Sequence, residues 1–137
     1  MKKGTLFNQK RAGFTLLELL VVISIIGILL ALGVVAFTTA QRKGRDAKRR
    51  ADIKSIQDGF EQYYASENGY GDCADMYASD IFPAGAPMDP REGAYPCSSA
   101  AAGYCVCASL EADDGNASNA SCNFSTASGY YCLTNLQ

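Results

Sequence analysis

The stretch Gly13-Phe14-Thr15-Leu16-Leu17-Glu18, running straight into the apolar segment 19–37, decides how the rest of the chain is read. Between residues 14 and 37 the only ionisable side chain is Glu18. As a helix rising about 1.5 Å per residue, this segment reaches roughly 36 Å, against a bilayer hydrocarbon core of ~30 Å. A lone carboxylate there costs about 2.5–3.5 kcal/mol on insertion scales, so Glu18 needs a partner.

Around that segment the composition is uneven. The chain has 137 residues, no His, no Trp and six Cys, all between positions 73 and 132. Taking away a basic leader (Lys2, Lys3, Lys10, Arg11) and a long helix leaves a head of roughly 70 residues, too small to be stable on its apolar core alone. Cysteines confined to the head fit an oxidising compartment. The net charge of −2 hides a segregation. Seven bases (Arg42, Lys43, Arg45, Lys48, Arg49, Arg50, Lys54) face only Asp46 and Asp52, whereas beyond them Arg91 is the single base among eleven acids.

The residues Lys10-Arg11-Ala12-Gly13-Phe14-Thr15-Leu16-Leu17-Glu18 closely resemble the processing site of type IV prepilins and of the related pseudopilins. The resemblance implies that a prepilin peptidase cuts after Gly13 on the cytoplasmic side and methylates Phe14. It implies that Glu18 is the assembly carboxylate that meets an N-terminal amine. The apolar helix would anchor the free subunit in the cytoplasmic membrane, N-terminus inside, and then form the filament core with an inner-membrane assembly platform. An ordinary signal peptide has a shorter apolar region, and a plain anchor leaves Gly13-Phe14 and Glu18 unexplained. Six bases just after the span outweigh four before it, which votes for the opposite orientation. The leader motif and the cysteine-bearing head override that vote.

The expected organisation is a leader (1–13), a long helix (14–66, with 14–37 as span or filament core) and a head (67–137). The fold class is α+β, the helix packed on a small antiparallel sheet. In the second half of the helix Ala47, Ile53, Ile56, Phe60, Tyr63 and Tyr64 recur at three-to-four-residue spacing and predict a buried stripe. Asn68-Gly69 is a helix stop. A short helical turn is expected around 75–78, and strands at 94–97, 104–110 and 130–135, with a polar loop at 111–128. Alternation puts Tyr104, Val106, Ala108 and Leu110 on the helix side and Cys105, Cys107 and Cys132 on the outer face. One of Cys105 and Cys107 then bridges Cys132 and the other Cys122, leaving Cys73 with Cys97, one choice among many.

Other residues carry weaker signals. Cys105-Val106-Cys107 lacks a His and the spacing of a zinc site, so disulfides are favoured over metal. Asp113, Asp114 and Asn116 offer calcium-type oxygens in a region where major pseudopilins bind calcium, although the spacing is not that of an EF-hand. Asn116-Ala117-Ser118, Asn119-Ala120-Ser121 and Asn123-Phe124-Ser125 are acceptor tripeptides for N-glycosylation, the first with Asp114 upstream. The basic block from Arg42 to Lys54 could meet nucleic acid, but without interleaved aromatics it fits membrane lipid headgroups or acidic neighbouring subunits better. No base, nucleophile motif or pocket signature for catalysis is present, so no enzyme is expected.

The reading is a structural prepilin that polymerises with itself, alone or in a mixed filament, into a type IV pilus serving adhesion, motility or DNA uptake. The alternatives are a pseudopilin in a periplasmic type II secretion filament and a monomeric, membrane-anchored binding module outside the cytoplasm.

Overall fold

The computed structural model describes residues 13–137 apart from Glu92, Ala101, Asp113 and Ala127. Leader residues 1–12, and the calcium candidate Asp113, therefore lie outside the described residues. The chain divides into two compact units, Met1–Phe37 and Thr38–Gln137.

Helix α1 runs Leu16–Glu67. No proline interrupts it, and it stops where Asn68 takes a left-handed φ of 56°, a conformation asparagine tolerates. In the first unit all the large apolar side chains from Leu16 to Phe37 are exposed, and the stretch is long and apolar enough to cross a membrane.

In the second unit α1 buries Asp46, Arg49, Ile53, Ile56, Gln57, Gly59 and Phe60. Tyr63 packs at the edge of the core. Ala47 is a correction: it is exposed, because it lies well off the helical line through Ile53, Ile56 and Phe60. Asp46 and Arg49 occupy that line instead.

A short helix, α2 (Cys73–Ala78), follows. The expected first strand is split. Gly93–Ala94 (β2) pairs antiparallel with Met88–Asp89 (β1) as a separate hairpin, and Cys97–Ala100 (β3) opens the main sheet. Pro96, which has no N–H to give a ladder, marks the break. The main sheet has the order β3-β4-β5, all antiparallel, with β4 at Gly103–Ser109 and β5 at Tyr130–Thr134.

The two faces of β4 serve two cores. Tyr104, Val106 and Ala108 join Ile53, Ile56, Phe60, Met76 and Tyr95 against α1. Phe60 meets the Tyr104 ring edge-on at 4.9 Å and Tyr77 at 5.1 Å. On the opposite face Cys105, Cys107 and Cys132 form a smaller core with Ala117, over which the loop carrying Ala120 and Cys122 closes. Gly115 permits that closure, since a Cβ there would lie 1.7 Å from the Tyr130 carbonyl oxygen.

Candidate functional site

The processing segment sits at the start of α1. Thr15 Oγ1 accepts the Glu18 backbone N–H at 3.1 Å, and the Thr15 carbonyl accepts from Leu19 at 3.2 Å. Thr15 thus caps the helix, and Glu18 occupies the position of a capping-box acid in the first turn, where the helix dipole favours negative charge. The Thr-x-x-Glu spacing could have revealed this cap from sequence. Gly13 precedes the helix with nothing within 4 Å of a Cβ added to it. The Glu18 carboxylate has no partner among the described residues, and Phe14 is exposed.

In the head the six candidate cysteines lie in three disulfides: Cys73–Cys97, Cys105–Cys122 and Cys107–Cys132. The first ties α2 to β3. The other two place four sulfurs within 4.8 Å of one another beneath the loop. Cross-links of this kind contribute about 2–4 kcal/mol each to a small domain.

A charge network that sequence reading missed joins three distant segments. Asp46 accepts Arg49 Nη1 at 3.0 Å, the Glu111 N–H at 2.9 Å and the Ala112 N–H at 2.7 Å. Arg49 also donates through Nε and Nη2 to Asp89 and pairs with Glu111 at 2.9 Å. Arg45 clasps Glu111 through two bonds of 2.8 and 2.5 Å, and Arg91 adds a third cation at 3.1 Å. Hydrogen bonds from Arg45, and then from Arg49, pull the Glu111 carboxyl down to about 2. Asp46 and Arg49 are essentially inaccessible, so satisfying every partner matters more than the pairing itself.

The weaker candidates are placed as follows. Asn116 Nδ2 donates to the Cys132 carbonyl at 2.8 Å, and its Oδ1 accepts from the Cys132 N–H at 2.7 Å. Both atoms proposed for glycan or calcium are therefore engaged with β5. Asp114 is exposed, and its main-chain oxygen accepts from Arg50 at 3.0 Å. Asn119 and Asn123 are exposed. Of the seven bases between positions 42 and 54, Arg45 and Arg49 belong to the network, Arg50 stacks over Tyr131 at 4.9 Å, and Lys54 pairs with Asp58. The three left over are Arg42, Lys43 and Lys48, all exposed.

Residues 8–34 match the family model of the prokaryotic N-terminal methylation motif. The chain is similar to the type IV major pilin protein PilA of Myxococcus xanthus (strain DK1622), with 31% identity over 68 residues. That match takes in 50% of this chain and 31% of the relative, so the chain spans about a third of the length of the curated relative it matches. No solved structure matches the chain. The methylation motif, the long apolar helix with its small antiparallel head, and the similarity to a pilin agree with the resemblance to type IV pilins and pseudopilins that the processing segment carries.

Proposed function

We propose that the chain is a prepilin whose mature form is a structural subunit of a type IV pilus, not an enzyme. One observation carries the reading. The large side chains from Leu16 to Phe37 form an exposed apolar surface far beyond the few hundred Å² that monomeric soluble proteins leave uncovered. Two environments satisfy it, lipid around a free subunit and the helices of other copies in a filament. Before assembly the subunit crosses the cytoplasmic membrane once with its N-terminus in the cytoplasm, and afterwards it lies in a filament outside. A prepilin peptidase cuts after Gly13 and methylates Phe14, and an assembly platform in the inner membrane adds subunits to the growing base.

Glu18 then has a role that the free subunit leaves open. Lying about one helical turn from Phe14, it can neutralise the Phe14 amine of its own chain or, after an axial shift, that of a neighbour. Leaving either charge unpaired in a low-dielectric core is costly, so the pair selects one axial register. The relative named as a major pilin favours a pilus over a secretion filament. Adhesion, motility and DNA uptake are the services of such a filament. Gly13→Val is the test: it should leave the full-length precursor in the membrane and abolish filaments. A mature species beginning near Gln41 would instead identify a cleaved signal peptide.

A further inference from the structure

Among the described residues of the head several ionised groups stand outside its ion pairs, and two sets of them lie at different heights along α1. Arg42, Lys43 and Lys48 have no ion-pair partner among the described residues and occupy the part of α1 just after the apolar segment. Glu67 and Asp80 are likewise exposed and unpaired among the described residues, at the far end of the same helix and just after α2. The two acids flank one groove of about 450 Å³, lined also by Tyr63, Ser66 and Ser79. The last turn of α1 holds Glu67 and no base, so the negative end of the helix dipole adds to the acids instead of being offset. Such a groove favours a cation.

From Lys43 to Glu67 the helix rises roughly 36 Å at about 1.5 Å per residue, so the two groups of charges cannot meet within one rigid copy. They can meet between copies. We propose, on the strength of the filament reading above, that the unpartnered basic part of α1, centred on Lys43 and Lys48, docks on the Glu67–Asp80 groove of a second copy of this chain. The contact joins two different surfaces, so it is head-to-tail, the type of interface that builds open helical filaments when the rotation between copies does not close a ring. Complementary charge also rejects misaligned neighbours, because a slipped copy sets acid against acid. The groove takes a basic side chain of the neighbour, and Arg42 lies close enough in sequence to strengthen the attraction.

The test uses the full chain in a host whose wild-type filaments are recovered by shearing. Three variants are compared: Lys43→Glu with Lys48→Glu, Glu67→Lys with Asp80→Lys, and all four changes together. Each pair of reversals should lower the sheared filament yield about tenfold while membrane insertion and cleavage after Gly13 stay normal. The fourfold exchange should restore the yield to within about twofold of wild type. Full assembly by either reversed pair, or no recovery in the exchange, overturns the proposal. A different occupant, an anionic lipid surface, would show itself if only the basic reversals mattered and they weakened binding of the full chain to phosphatidylglycerol vesicles. That outcome also overturns the proposal. If the wild-type chain is cleaved but absent from sheared material, the filament reading itself fails, and the docking contact fails with it.

Discussion

On the proposed reading, Glu18 is the residue on which assembly turns. Its backbone N–H is tied to Thr15, whereas its carboxylate has no partner among the described residues. Glu18→Gln keeps size and removes charge, so the variant should be inserted and cleaved normally yet enter filaments poorly when it is the sole subunit. Immunoblots of membrane and sheared fractions check this, and normal filament yield would reduce Glu18 to a capping or recognition residue. Arg49 is decisive in the head. Its guanidinium is buried among Asp46, Asp89 and Glu111, and its pKa is raised, chiefly by its hydrogen bonds to Asp89. Arg49→Leu strands those acids and should cost about 3–5 kcal/mol in denaturant unfolding. Asn116 is a backbone clamp on Cys132. Substituting Ala should remove about 1–3 kcal/mol of stability, and glycopeptide mapping should find Asn116 unmodified, with any glycan of this loop on Asn119 or Asn123.

Among the elements, α1 was legible because its signals are local. The uncharged run announces the exposed half, and Ile53, Ile56 and Phe60 announce the buried stripe by their spacing. Asp46 and Arg49 were not legible, since their burial depends on Asp89 and Glu111, which lie 40 and more residues away along the chain. In a helix pattern they read as solvated charges. The alternation of β4 gave both its faces. The split of the first strand at Pro96 was missed because 94–97 is too short to show a period of its own. Loop 111–128 hid its own small core, because Ala117 and Cys122 carry no periodic signal. Closing that core depends on sulfur: Cys107→Ser with Cys132→Ser should lower stability by about 2–4 kcal/mol and make the loop protease-sensitive. Acid should loosen the same region. The Glu111 carboxyl moves from an ordinary 4.5 to about 2 on folding, so its pairs contribute fully above pH 4.5 and are lost as pH falls towards 2. Glu111→Gln should remove that part of an acid unfolding curve followed by circular dichroism.

Taken whole, the molecule divides its chemistry between two units. Residues 14–37 offer an exposed apolar surface that, on the proposed reading, lipid or other copies cover, and Thr38–Gln137 forms a stapled head in which, among the described residues, Lys43 and Lys48 stay without an ion pair on the early part of its helix and Glu67 at the helix end. The methylation motif was legible because it is written in consecutive residues, and the matching family model covers one continuous segment, 8–34. The surfaces proposed to join subunits were not, since which bases remain unpaired emerges only after Arg45, Arg49, Arg50 and Lys54 have found partners in the head. Everything then depends on whether this chain is cut after Gly13 and built into a filament. Intact-mass spectrometry of sheared surface filaments answers both parts at once. The account predicts a dominant species that begins at Phe14, heavier by one methyl group and lighter by the hydrogens of three disulfides. Filaments that lack this chain, or a mature chain beginning near Gln41, would contradict it.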